Sequence, residues 1–108
     1  MAKHFKHTLL LLVIATSFSL FADNDPREVQ VLKKGMPKEV ASFISRLVEC
    51  NHWGGEEPYD KERAKEIGKA AKRLRCDQLD SDEKELRQKY KNNPKVLERI
   101  NKAKTLAI

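Results

Sequence analysis

Apolar residues recur at three- and four-residue steps over most of the chain beyond residue 36. Val40, Phe43, Ile44, Leu47 and Val48 form one face of a helix opened by Pro37. Ala64, Ile67, Ala71 and Leu74 form a second, narrower stripe that is half alanine, with Asp60 placed to cap it. A cap at Asp80, with Glu83 three residues on, starts a helix carrying Leu86 and Tyr90. Asn93-Pro94 ends that helix and begins the last, whose inward positions are Val96, Leu97, Ile100, Ala103 and Ala107. No span from Gln30 onward needs a sheet, so the pattern predicts an all-α fold, a small bundle of four to five helices. Upstream, Asp25-Pro26-Arg27-Glu28 reads as the start of a short helix stopping at Gly35, while the alternation of Val29 and Val31 leaves a short strand open.

The pattern breaks between residues 51 and 59. The stretch Asn51-His52-Trp53-Gly54-Gly55-Glu56-Glu57-Pro58-Tyr59 holds a glycine pair and a proline, both poor helix interiors, and is expected to form a compact loop. It lies between the chain's two cysteines. Cys50 falls on the flank of the first apolar face, near the end of its helix. Cys76 would lie about 180° from Ile67 if the second helix continued at about 100° per residue. The chain should therefore leave helical geometry before Cys76 and turn back toward Cys50.

The N-terminus supplies the setting for that pair. Lys3 and Lys6 precede an apolar stretch from Thr8 to Phe21, 14 residues, against the roughly 20 that a membrane-spanning helix requires. Thr16 to Ala22 is rich in small residues and Phe, so residues 1–22 read as a secretory signal peptide cut after Ala22, with Ser19 as a second option. No cysteine stands at the cut to take a lipid. There is no Asn-x-Ser/Thr acceptor and no C-terminal retention signal, which leans toward a bacterial periplasm. In an oxidising compartment a lone cysteine pair is most simply one disulfide, Cys50 to Cys76. Residues 23–108 are then a single small helical domain, of a size at which a covalent staple often supplements a thin core.

Charge narrows the partners. Lys3 and Lys6 leave with the signal, so 20 basic side chains face 16 acidic ones and the mature net charge is +4. Lys61, Lys65, Lys69, Lys72 and Arg73 gather on the outward half of the second long helix, a basic face able to meet phosphates, anionic lipid or an acidic protein surface. Glu62 and Glu66 are interleaved at pairing distance, as on any solvated amphipathic helix. Export, and the lack of aromatic residues among these bases, argue against nucleic acid.

The loop between the cysteines holds the candidate chemistry: His52, Trp53, Glu56, Glu57, Tyr59 and Asp60. An imidazole beside carboxylates is the material of a metal site or an acid and base pair, but the spacing matches no closed ligand motif and the calcium-loop pattern is absent. The mature chain has a single histidine and no Gly-x-Ser-x-Gly, phosphate-cradling loop or Cys-x-x-Cys, so no enzyme activity and no cofactor are expected. Two readings of the loop stay open. Trp53 and Tyr59 either fold back over the core, or they give a tethered, partly apolar contact surface with little entropy left to lose.

Leu74-Arg75-Cys76-Asp77-Gln78-Leu79-Asp80, followed by Leu86 and Tyr90, resembles the core signature of the small periplasmic lysozyme-inhibitor domain of the LprI type. In that family a cysteine ends one helix, and an acid, leucines and a tyrosine mark the next. The stretch from Asn51 to Asp60 is similar to one in small exported bacterial two-cysteine helical proteins, which implies no activity. The resemblance implies a helical inhibitor-like domain.

The leading expectation is a non-enzymatic exported protein that binds another protein, as an inhibitor or immunity protein against an envelope-acting hydrolase or toxin. The alternative is an envelope-associated structural protein using the basic face against anionic lipid or cell-wall polymer; a third is a small metal-dependent enzyme centred on His52. Mass spectrometry of the native exported protein is expected to find a peptide linking Cys50 to Cys76, with the intact mass lower than the reduced form by the two hydrogens the bond displaces. Two free thiols would overturn the assignment. Cys50→Ala should lower unfolding free energy by about 2 to 5 kcal/mol in denaturant titration.

Overall fold

The structure, a computed structural model, describes residues 25–106. The signal segment and Ala107 lie outside the described residues. Five α-helices follow one another: α1 Arg27–Lys33, α2 Lys38–Gly54, α3 Lys61–Arg73, α4 Leu79–Lys89 and α5 Pro94–Lys104, with a single 3-10 turn, Cys76–Gln78, between α3 and α4. No strand occurs among the described residues. The fold is the all-α bundle that the periodicity predicts, with one disulfide joining Cys50 and Cys76 at a Cα separation of 5.7 Å.

The long helix α2 is the spine. Val40, Phe43, Ile44, Leu47 and Val48 are buried along it, and every other helix packs against it. Around this face, α1 contributes Val29 and Leu32, α4 contributes Leu86, and α5 contributes Val96, Ile100 and Ala103. Leu97 is half-buried beside them. The choice between helix and strand at α1 follows from the same core. Val29 and Leu32, one helical turn apart, both reach it, whereas Val31 is left 60% exposed.

The helix ends differ in detail from the sequence reading. Asn93 Oδ1 accepts from Val96 N at 3.2 Å and Pro94 takes the first helical position, as the cap pattern predicts. Asp60 likewise caps α3, accepting from Arg63 N at 2.8 Å. Asp25 does not cap α1. The Pro26 carbonyl serves Val29 N and Gln30 N, and the Asp25 carboxylate pairs with Lys33 Nζ and Ser45 Oγ across to α2. Asp80 does not cap α4 either; it sits inside the first turn. The 3-10 turn feeds straight into α4, and the Cys76 carbonyl already accepts from the amide of Leu79, the first residue of that helix. At the end of α1, Gly35 adopts φ +76, the left-handed value that glycine tolerates best.

Two larger corrections concern the segment between the cysteines. The predicted loop over residues 51–59 is shorter, because α2 runs on through His52 and Trp53 to Gly54. Asn51 donates its side-chain amide to the carbonyls of Lys104 and Leu106 at 3.3 and 3.2 Å, anchoring the last turn to the end of α5. The cost of a terminal glycine, about 1 kcal/mol, is small beside such tertiary contacts. The second correction is the facing of α3. Ala64 is exposed, Ile67 and Ala71 are half-buried, and Ala70 and Leu74 are the buried positions. With α2 as its one extensive helical neighbour, α3 needs only a narrow strip, and the rotation that buries Ala70 leaves Ala64 outside.

No residue of α3 belongs to the main hydrophobic cluster. The helix is instead held at its ends. The chain leaves helical geometry at Arg75, in the left-handed region at φ 52, ψ 50, and Cys76 then meets Cys50. Such a conformation costs a non-glycine residue about 1 to 2 kcal/mol. Arg46 of α2 offsets it: Nε donates to Leu74 O at 2.7 Å, and one terminal nitrogen donates to Arg75 O at 3.3 Å and to the Asp82 carboxylate at 2.7 Å. One guanidinium thus clamps α2, the end of α3 and the start of α4.

Opening the disulfide is therefore expected to release α3 before the core. Hydrogen exchange should show the amides of Lys61–Arg73 losing protection in the reduced protein while those of Phe43–Val48 and Ile100 keep it. Simultaneous loss in both sets would mean that α3 and the core unfold as one unit.

Candidate functional site

The segment from His52 to Arg75 forms a lobe on one side of α2. At its base, the last turn of α2 presents His52 and Trp53, and the backbone closes with Gly55 N on His52 O at 3.1 Å and Glu56 N on Trp53 O at 3.2 Å. A short irregular stretch, Glu56 to Tyr59, in which Tyr59 N donates to Glu57 O at 2.9 Å, then leads to the Asp60 cap.

Arg63 organises the lobe, although the sequence reading did not single it out. Its guanidinium hydrogen-bonds the Glu56 carboxylate and, at 2.8 Å, the Glu66 carboxylate, and its central carbon lies 5.2 Å from the centroid of the Trp53 ring. Arg63 Nε is buried with no hydrogen-bond partner among the described residues. The indole face supplies the cation–π attraction in place of an acceptor there. His52 stands edge-on to Trp53, ring centroids 5.6 Å apart, with Nε2 3.7 Å from Glu56 Oε2. The clue in the sequence was positional: Arg63 lies on the strip that continues through Ile67, Ala70 and Leu74, where an arginine needs carboxylate partners.

The candidate residues separate into two groups. His52, Trp53 and Glu56 are half-buried, Trp53 and Glu56 joined through Arg63 and His52 set against both, whereas Glu57, Tyr59 and Asp60 face solvent. Tyr59 is 77% exposed, and it and Val31 are the large exposed hydrophobic side chains among the described residues. Trp53 is thus neither an isolated surface anchor nor a member of the main core. It is the wall against which α3 is seated.

The electrostatics fix the state of the cluster. The hydrogen bond from Arg63 holds the Glu56 carboxyl below its ordinary value, and the bonds to Glu66 and Glu56 hold the Arg63 guanidinium more firmly protonated. Glu56 therefore stays ionised near neutral pH, which suits pairing and not proton donation. Among the described residues no group of three or more His, Cys, Asp or Glu side chains converges as a metal site, and no helix is long and apolar enough to cross a membrane.

Lys61, Lys65, Lys69, Lys72 and Arg73 are all exposed, and among the described residues none of them makes an ion pair. The interleaved acids do not neutralise them: Glu66 turns to Arg63. Helix α3 carries six basic and two acidic side chains, a net +4, equal to the whole charge of the chain from residue 23 onward. The rest of that stretch is electrically balanced. The residues from Leu74 to Asp80, with Leu86 and Tyr90, have structural places: Leu74 and Leu86 are buried, Cys76 is in the disulfide, and Tyr90 donates to Glu39 Oε2 at 2.6 Å.

Comparison with known proteins gives no match to a family model, a curated protein or a solved structure.

Trp53→Ala is expected to lower stability by about 2 kcal/mol, less than a fully buried tryptophan would, with the loss read as reduced protection in α3. The Glu56 contribution has a defined pH sense. Its folded pKa lies below the ordinary 4.5, so the stabilisation is present above that value and disappears as pH falls through the lower folded value. Thermal melts between pH 6 and 3 should show Glu56→Gln closing its gap from the native protein as acid is added. A gap that widens in acid would contradict the assignment.

Proposed function

We propose that this is an exported, non-enzymatic binding protein that captures another protein, in the manner of an inhibitor or immunity protein directed at an envelope-acting hydrolase or toxin. The α3 lobe is its contact surface. The single observation that carries this reading is the concentration of positive charge, without an ion pair among the described residues at Lys61, Lys65, Lys69, Lys72 and Arg73, on a helix that contributes nothing to the main core yet is fixed at both ends. Fixing an element in advance lowers the entropy lost when a partner docks on it.

The pattern of charge favours a protein over a uniform polyanion. Lys61 to Lys72 spans about 16 Å of helix at about 1.5 Å per residue. At the N-terminal end of this ridge, exposed Glu57, Asp60 and Glu62 present the opposite sign beside Tyr59. A bilayer or an anionic polymer would be repelled at that end. A protein surface can match both signs and pack an apolar pocket around Tyr59. Membrane attachment would also call for large exposed apolar side chains among the lysines, and the exposed uncharged positions between them are Ala64 and Gly68, Ile67 being half-buried. The favoured partner is acidic over the area that faces α3, because a cationic one would meet like charge.

Immobilised oxidised protein is expected to retain an envelope protein that a Lys61, Lys65, Lys69 and Lys72 to Gln variant of equal helicity does not retain. The association rate should fall at least tenfold in that variant and with rising salt. Tyr59→Ala should weaken the same complex by about 2 kcal/mol without changing the melting temperature. Salt-sensitive binding to anionic vesicles by the native protein, with no protein retained, would replace this reading with envelope attachment.

A further inference from the structure

Between Trp53 and α3 runs an open groove lined by Trp53, Glu66, Lys69, Ala70 and Arg73. The four α3 residues stand three or four apart over successive turns, with Lys69 and Ala70 side by side between Glu66 and Arg73, so they form one strip beside the indole. Resting on the reading of this lobe as a protein-binding surface, the geometry points to this groove as the seat of an acidic segment of the partner. One of its carboxylate side chains lodges between Lys69 and Arg73, and a neighbouring apolar side chain lies against Trp53 and Ala70.

The chemistry of each wall supports this occupant. Lys69 and Arg73 are one helical turn apart, both exposed, and neither makes an ion pair among the described residues. Two cations at that separation can share one carboxylate, and the arginine can hold it with two parallel hydrogen bonds. The acid in the groove, Glu66, does not compete for them, because its carboxylate is bonded to the Arg63 guanidinium at 2.8 Å. Arg63 thereby acts on two sides: it compensates Glu66 and it braces the Trp53 ring. The floor is apolar. Trp53 and Ala70 offer a contact that a free anion cannot use but a peptide can, through the side chain next to its acid. Fixed walls help as well, since Trp53 stands on the last turn of α2 and the strip belongs to a helix tied down by the disulfide.

The chain's single tryptophan makes the groove directly observable. Trp53 emission is followed in the full oxidised protein while a capped peptide, acetyl-Leu-Glu-Asp-Leu-amide, is added. The acidic peptide is expected to give a saturable shift, and its amide counterpart, acetyl-Leu-Gln-Asn-Leu-amide, a response at least tenfold weaker. Lys69→Gln with Arg73→Gln should lose at least tenfold in affinity at unchanged helicity, whereas Lys91→Gln with Lys95→Gln, which removes the same charge from exposed positions outside the α3 lobe, should bind as the native protein does. The groove assignment is overturned by an equal response to both peptides, by no saturable shift, or by unaltered binding in the Lys69 and Arg73 variant. Inorganic phosphate matching the acidic peptide in affinity would also overturn it, since the groove would then be a plain anion site. The broader reading fails separately. Peptide binding with no envelope protein retained counts against protein capture alone. Retention that depends on Tyr59 and Lys61 without peptide binding removes the groove and leaves capture standing.

Discussion

The bond between Cys50 and Cys76 determines what kind of molecule this is. Without it, α3 would hang from α2 by the short stretch after Gly54, resting on Ala70, Leu74 and the face of Trp53. With it, the chain between the two cysteines, which stand 26 positions apart, forms a closed ring, and both ends of α3 are fixed to one helix. In the chain-entropy account such a closure is worth about 3 to 4 kcal/mol, a large share of the roughly 5 to 10 kcal/mol by which small domains are stable. Arg46 then aligns what the disulfide holds, drawing the carbonyls of Leu74 and Arg75 toward α2 and Asp82 toward both.

The remaining helices need no such device. The faces of α1, α2, α4 and α5 interdigitate around Ile44, Val48, Val96 and Ile100, all essentially inaccessible to solvent. Polar groups at the rim are satisfied locally: Arg99 reaches the carbonyls of Leu32 and Lys34 at 3.0 Å each, which closes the end of α1 against α5. The Glu83 carboxylate takes Arg87 at 2.7 Å and Lys104 at 3.2 Å; burial pushes its pKa up, and these hydrogen bonds outweigh that and bring it below the ordinary value. The protein divides into a self-sufficient core and a stapled lobe, and the charge is divided in the same way.

Most of the core was legible because its signal is periodic. Val40 to Val48 and Val96 to Ala103 have only one amphipathic solution, and the departure from helix before Cys76 followed from the angle between Cys76 and Ile67. What was not legible depends on contacts remote in sequence. The last turn of α2 extends through Gly54 because Asn51 finds carbonyls at the end of α5, 53 and 55 residues away. Asp25 and Asp80 carry good cap chemistry but find other work, Asp25 with Lys33 and Ser45, Asp80 displaced by the 3-10 turn before α4. Arg63 escaped notice because a charged residue among charged residues looks solvated until its partners are placed around it. At the candidate site the residue list was readable, but not its division into a closed cluster of His52, Trp53 and Glu56 and an open edge of Glu57, Tyr59 and Asp60.

That division has a functional consequence. A recognition element built into the core would have to change the packing of Ile44 or Val48 whenever its surface changed, because close-packed interiors transmit alterations of even one methylene. Here the exposed face of α3 is separated from the core by Trp53, Arg63 and the disulfide, none of which requires any particular residue at positions 61, 65, 69, 72 or 73. Surface substitutions away from caps and buried contacts shift stability by about 0.5 kcal/mol or less. The lobe can therefore carry a strong and unbalanced charge, at odds with a neutral remainder, with little effect on the core. Such an arrangement suits a protein whose contact surface must match a partner's.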